Sequence, residues 1–396
     1  MQFITMDRLT LSGKRVFIRV DFNVPVTETR EVADDTRIRE ALPSIRYASE
    51  HGAKVLLASH LGRPKGKVDP ALSLKPVAVR LAKLVGKEVS LAPDCVGPAA
   101  EEQVRRLSGG EILLLENLRF HGEEEKNDAA FARALAALAD VYVNDAFGSS
   151  HRSHASVVGM VSHFDRKGVG FLMQKEIRAL AQLLENPEKP FVVVLGGAKV
   201  SDKIGLIRGL LSRASTIVIG GAMAYTLQLA QGVEVGKSCV EADRIDEVRK
   251  MLDEAAAKKV EILLPQDHVV VAELQPGVPS WTTPGREIPK DRLGADIGPK
   301  TIEAFSSVFR TARTVFWNGP MGVFEIQPFD RGTKAIAEGI ASTGCFSVAG
   351  GGDTVSAIAQ AGLTDRFSHI STGGGASLEF LENGDLPGLA ALRVPS

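Results

Sequence analysis

Four times in its second half the chain runs a short apolar, β-rich stretch into clustered glycines and then into helical sequence. Residues 191–195 lead into Gly196-Gly197, and residues 217–219 into Gly220-Gly221. Residues 346–349 lead into Gly350-Gly351-Gly352-Asp353-Thr354, and residues 369–371 into Thr372-Gly373-Gly374-Gly375. A fifth strand signal, residues 314–317, exits into Asn318-Gly319-Pro320. Strand, turn and helix at this spacing demand right-handed crossovers and a parallel sheet. In such a sheet ligands bind beyond the carboxyl ends of the strands. Glycine there lets a backbone approach a phosphate, and the following helix N-terminus offers free N–H groups. A single unit of this kind is ambiguous, because tight βα turns use glycine for steric reasons alone. Four of them, two with triple glycines, point to a nucleotide or another polyphosphate.

Familiar nucleotide motifs do not explain the pattern. The nearest approach to a P-loop, GVEVGKS at 232–238, is one residue short and follows no clear strand. The dinucleotide fingerprint G-x-G-x-x-G fails at Gly350, where Val355 holds the sixth position, and at Gly168, where Met173 holds it. The protein-kinase loop set is missing as well.

The first half alternates the same two signals without the glycines. Strands are expected at 16–20, 54–59, 112–115 and 141–143, and helices at 37–50, 74–85 and 129–139, with Gly86 as a stop. Its strand exits carry cations and hydrogen-bonding side chains instead: Asp21 and Asn23, then His60 and Arg63, then Arg119, then His151, Arg152 and His154, with Arg37 near the start of the first helix. Arginines at the exits of separate parallel strands suit one small, highly anionic ligand, which guanidinium forks bind in bidentate fashion. The histidines lack metal spacing, and His121 and His163 read as surface residues.

In the second half, Lys199 and Lys203 lie four apart after Gly196-Gly197 and share a helical face if a helix begins that early. Lys203 would then serve a terminal or transferring phosphate as a point charge. Asp353 sits where a helix starts, suited to an N-cap, to a Mg²⁺ ligand, or to both. A polyphosphate half and a small-anion half together imply phosphoryl transfer across a cleft, with closure to exclude water.

Composition sets the outer bounds. The 47 basic and 48 acidic side chains of the 396 residues nearly cancel, which argues against non-specific nucleic-acid binding. Cys95, Cys239 and Cys345 are far apart, the reduced, intracellular pattern. With neither a signal-peptide pattern nor a membrane-length apolar run, the expectation is a cytoplasmic protein with no membrane segment, and with no heptad repeat it is a monomer. The stretch 168–184 reads as the connection between an N-terminal domain, 1–167, and a C-terminal domain, 168–383, with residues 384–396 packing back onto the first.

Eight segments then make the chain resemble the phosphoglycerate kinase family. They are VFIRVDFNVPV (16–26), SHLGRPKG (59–66), LLLENLRFHGEEEKND (113–128), VYVNDAFGSSHRSHAS (141–156), LGGAKVSDKI (195–204), FWNGPMGVFE (316–325), VAGGGDT (348–354) and STGGGASLEFLE (371–382). The resemblance implies two Rossmann-like α/β domains, each a parallel sheet flanked by helices, joined by a hinge with a cleft between them. It implies reversible phosphoryl transfer from 1,3-bisphosphoglycerate to Mg-ADP, giving 3-phosphoglycerate and ATP in glycolysis. By the same analogy Asp21, Asn23, Arg37, His60, Arg63, Arg119 and Arg152 hold the phosphoglycerate. Lys199, Lys203, Gly220, Gly221, Gly294, Asn318, Glu325, Gly351, Gly352, Asp353 and Thr354 form the nucleotide site. Within it Gly220 and Gly221 lie against the adenine, Glu325 bonds the ribose and Asp353 holds Mg²⁺. The catalytic groups are Arg37, Lys203, Gly351 and Gly374, the glycines through helix N-termini facing the transferred phosphoryl oxygens. Ala295 stands where a larger aliphatic side chain usually packs on the base. The competing readings are a kinase for another acyl phosphate, which a substrate panel separates, and a catalytically silent nucleotide-binding scaffold. A silent scaffold has no chemical need for Arg37, Lys199, Lys203 and Asp353 together.

Overall fold

A computed structural model describes residues 3–393; residues 394–396, the end of the expected C-terminal segment, and residues 1–2 lie outside it. The chain divides into two compact units, Met1–Arg178 with Asp385–Ser396, and Ala179–Gly384. The helix Phe171–Glu185 runs through the division.

The first unit is built on strands β1 (Arg15–Val20), β2 (Lys54–Ala58), β3 (Val89–Leu91), β4 (Ile112–Leu114), β5 (Val141–Asp145) and β6 (Lys167–Val169). Their order across the sheet is β3-β4-β2-β1-β5-β6, every neighbouring pair parallel. Val16 is in register with Val55 on one side and Val141 on the other. Helices cover both faces, so the central strands read as continuous apolar runs rather than alternating ones. The helix Thr36–Glu50 turns Ile38, Leu42, Ile45 and Ala48 into the core. The helix Lys75–Val85 carries Pro76 in its first turn and stops at Gly86, whose φ of 71° is left-handed. One residue of β1 breaks the apolar run: Arg19, only 1% exposed.

The second unit repeats the plan with β7 (Phe191–Leu195), β8 (Thr216–Ile219), β9 (Glu261–Leu263), β13 (Thr314–Asn318), β14 (Phe346–Gly350) and β15 (His369–Ser371). The order is β15-β14-β13-β7-β8-β9, again all parallel. Between β9 and β13, the strands β10 (His268–Val271), β11 (Trp281–Thr282) and β12 (Leu293–Ile297) form a small antiparallel sheet that the sequence patterning did not announce.

Two local expectations are corrected. The helix after β7 spans Ile204–Leu210, so Lys199 lies in the preceding loop and Lys203 is the N-cap residue rather than a face-mate of Lys199. The loop is held open by Glu241, which accepts from the Ser201 amide at 3.0 Å and its hydroxyl at 2.6 Å. The helix Gly352–Gln360 is capped by Gly351, and Asp353 is its second residue rather than its cap.

Candidate active site

The glycine-rich exits of β7, β8, β13, β14 and β15 lie side by side along one edge of the second sheet. Two cavities open there. One, of about 460 Å³, is walled by Lys199, Lys203, Asn318, Asp353 and Thr354 and by glycines 196, 197, 351, 352, 374 and 375. The other, of about 400 Å³, is walled by Gly221, Tyr225, Gly294, Ala295, Met321 and Glu325, and shares Gly197, Pro320 and Asp353 with the first. Gly220 is buried beneath the walls; a Cβ on it would meet Met321 Sδ at 2.5 Å.

Polar contacts tie the exits together. Lys203 Nζ donates to Asn318 Oδ1, and Asn318 Nδ2 donates to the Gly350 carbonyl at 2.6 Å. The Gly319 amide donates to Thr354 Oγ1 at 2.6 Å. Asn318 and Thr354 are buried, Lys203 is half-buried, and Lys199 and Asp353 are exposed. Burial lowers the Lys203 ammonium below its usual range, opposed by Asp202 and Asp353.

The glycines divide by physical cause. Gly221 has φ +66°, and a Cβ there would lie 2.6 Å from the Gly197 nitrogen, so packing of adjacent strand exits requires it. Gly352 and Gly375 have ordinary φ values and nothing within 4 Å of a built Cβ, yet both line the 460 Å³ cavity at helix starts. The fold itself does not need these two to be glycine.

In the first unit the charged residues expected at strand exits follow four adjacent strands, β4, β2, β1 and β5. Arg37, in the first turn of its helix, pairs with Asp21 at 2.7 Å. Asn23 Oδ1 accepts the Gly62 amide at 2.9 Å, which draws the loop after β2 onto the loop after β1. Arg119, 4% exposed, donates to the Gly62 carbonyl at 2.9 Å and lies 3.3 Å from Glu125. Arg63 is exposed, and Arg152 is half-buried against His151. His60 is buried; burial pushes its imidazolium well below the usual range, Asp21 opposes this, and Arg19, Arg119 and Arg152 add to it. Burial and the same three arginines hold His154 down to about 4. His60 and His154 therefore share one field of guanidinium charge.

Several residues that build this region carry little signal in the sequence. Arg19 reaches His60 and Ser156, and Ser156 is held by the buried Glu124. A lone charge inside an apolar strand was the available signal for Arg19. Tyr225, behind Gly294, gave none. His121 is not a free surface residue: its Nε2 lies 2.7 Å from Asp94 Oδ1. His163 is exposed as expected.

The sequence profile of phosphoglycerate kinase matches residues 6–384. The chain is 54% identical over 393 residues to the phosphoglycerate kinase of Anaeromyxobacter dehalogenans strain 2CP-C, covering 99% of each chain. It is 52% identical over 400 residues to that of Koribacter versatilis, again with 99% of each covered. The chain belongs to the phosphoglycerate kinase family. The fold agrees at the level of coordinates. The structure of phosphoglycerate kinase from Coxiella burnetii superposes with a TM-score of 0.90 at 39% identity, over 99% of this chain and 98% of that one. The one from Pyrococcus horikoshii gives 0.85 at 33% identity, over 98% of each. As a phosphoglycerate kinase the chain is a glycolytic phosphotransferase with a carboxyl group as acceptor: it moves a phosphoryl group reversibly from 1,3-bisphosphoglycerate to ADP. The two-domain α/β architecture expected from the strand pattern is the family's. Among the described residues no helix is long and apolar enough to cross a membrane.

Proposed function

We propose that the two sets of strand exits divide the reaction between them, the first unit holding 3-phosphoglycerate and the second the nucleotide. The observation that carries this is the pair of open glycines, Gly352 and Gly375, beside a half-buried lysine aimed at Asn318. In phosphoryl transfer the protein positions the reactants and stabilises developing charge. Lys203 supplies a compact cation whose partial burial strengthens its field on a phosphoryl oxygen. Asn318 orients that ammonium. The amides at Gly351 and Gly374 begin the helices Gly352–Gln360 and Gly375–Asn383 and are suited to the equatorial oxygens. Lys199 steers the nucleotide, Glu325 bonds its ribose, and Gly221, Gly294 and Ala295 face the base. On the other side Asp21, Asn23, His60, Arg63, Arg119 and Arg152 hold the phosphoglycerate, and hinge closure brings Arg37 to the transferred group with water excluded.

Mg²⁺ suits Asp353. Its carboxylate is exposed in the wall common to both cavities and makes no hydrogen bond among the described residues, and a hard oxygen donor beside phosphates is the ligand this ion takes. When bound, Mg²⁺ supplies charge neutralisation on the nucleotide phosphates. We also place the enzyme in the cytoplasm as a monomer, a setting that suits its three free cysteines.

The test is ATP consumption with Mg²⁺ and 3-phosphoglycerate, coupled to reduction of the acyl phosphate. Lys203→Ala should lower kcat by about 10² to 10³ while nucleotide affinity changes less than about tenfold. Unchanged kcat in the variant removes Lys203 from the mechanism.

A further inference from the structure

His60 sits at the exit of β2 with Nδ1 3.3 Å from Arg19 NH2. A guanidinium only donates and does not lose its proton, so the nitrogen facing it accepts and carries no hydrogen. The single ring hydrogen of the neutral imidazole is then on Nε2. Arg19 has little freedom to swing away. Its Nε donates to Ser156 Oγ at 2.8 Å and its NH1 donates to the Val20 carbonyl. The Ser156 hydroxyl spends its own proton on Glu124 Oε1 at 2.6 Å, which leaves the oxygen as an acceptor for Arg19. The other Glu124 oxygen takes the Ser156 amide at 2.9 Å, and the Glu124 side chain is fully buried.

We propose that Glu124 and Ser156 act through Arg19 as positioning residues that lock His60 in its neutral, Nε2-protonated form, a donor of fixed direction for an anionic substrate. The proposal deepens the reading of His60 as a phosphoglycerate-binding group and rests on it. The charged groups whose fields reach the ring are Asp21 from the exit of β1, Arg19 from β1 itself, Arg119 from the turn after β4 and Arg152 from the loop after β5. Three cations against one carboxylate oppose a second proton on the ring. The substrate site thus avoids a histidine whose charge changes within the physiological range.

Nitrogen-15 NMR on the full-length wild-type protein reads the tautomer directly, with the His60 signals assigned by their loss in His60→Gln. The expected pattern is a protonated Nε2 and a bare Nδ1 that stay unchanged from about pH 8 to about pH 5.5. A hydrogen on Nδ1, or titration near the ordinary value of about 6.5, overturns the lock. Ser156→Ala should mix the tautomers and raise KM for 3-phosphoglycerate about tenfold, the scale of one hydrogen bond to a charged group, with kcat within about twofold. Ser156→Thr, which keeps the hydroxyl, should restore the wild-type spectrum and KM. An unaltered spectrum in Ser156→Ala overturns the relay. Added 3-phosphoglycerate should shift Nε2; if it does not while the tautomer is as expected, the assignment of His60 to the substrate fails and the lock stands.

Discussion

A buried carboxyl that the reaction does not use shows how much one residue's neighbours decide. Asp145 ends β5 beneath the start of the helix Phe171–Glu185, where its Oδ1 accepts the Met173 amide at 3.1 Å. Burial pushes it up to about 7, against 3.8 for a free side chain, although Ser44 and the Met173 and Leu172 amides pull the other way. Between those two values the folded state holds a proton that the unfolded chain releases. Its contribution to stability is therefore complete below about pH 4 and is lost as pH rises to about 7. Asp145→Asn keeps the acceptor and cannot titrate. In urea melts at pH 5 and pH 8, the stability lost by the wild type over that interval should shrink by about 2 kcal/mol in the variant. An unchanged difference means the carboxyl titrates normally. Nothing in VYVND marks Asp145 out, because its environment comes from a helix 26 or more residues on. The positions of Asp21 after β1 and Lys203 after β7 were legible for the opposite reason: strand exits are local features of the sequence.

At the scale of elements, the central strands and long helices were readable because burial on both faces writes an unbroken apolar run and one-face burial writes a helical stripe. The edge strands β3, β6 and β9 and the small antiparallel sheet mix polar or glycine residues into short stretches and so show no unbroken apolar run. The late start of the helix at Ile204 was hidden too, since Glu241 imposes it from forty residues away. Glycine counts alone also merge two populations that structure separates. Gly352→Ala adds a methyl group to open space in a helix, so the melting temperature should hold or rise, as helix propensity favours alanine by about 1 kcal/mol. ATP affinity, measured by calorimetry, should fall about tenfold or more if phosphate approaches that backbone. Gly221→Ala should do the reverse damage, costing stability of order 1–3 kcal/mol through its φ of +66° and its contact with Gly197. Equal affinity in Gly352→Ala would return that glycine to the list of mere turn residues.

At the scale of the whole molecule, the proposed division of the two ligands between separate units predicts that their losses are separable. Arg37 belongs to the first unit and the two glycine-walled cavities to the second. Arg37→Ala should keep ATP affinity within about twofold while kcat falls about 10² or more, checked by calorimetry and the coupled assay on one preparation. Normal turnover would remove Arg37 from the transfer step. The amphipathic spacing of residues 171–185 marks a helix but not the residue at which one unit yields to the next, because that depends on which core each turn meets. The C-terminal segment makes the same point about distance. The Gly388 amide donates to the Ser150 carbonyl at 2.9 Å, and Leu389 is fully buried beside the loop that carries Arg152. A leucine buried to that degree should cost about 2–5 kcal/mol on truncation to alanine. In Leu389→Ala the first unit should therefore melt earlier, and 3-phosphoglycerate should recover part of the loss by binding the folded form. Nucleotide affinity, held in the other unit, should stay within about twofold. A variant that loses nucleotide binding as readily as it loses phosphoglycerate would show that the two units unfold as one, and the division of labour would then be chemical without being thermodynamic.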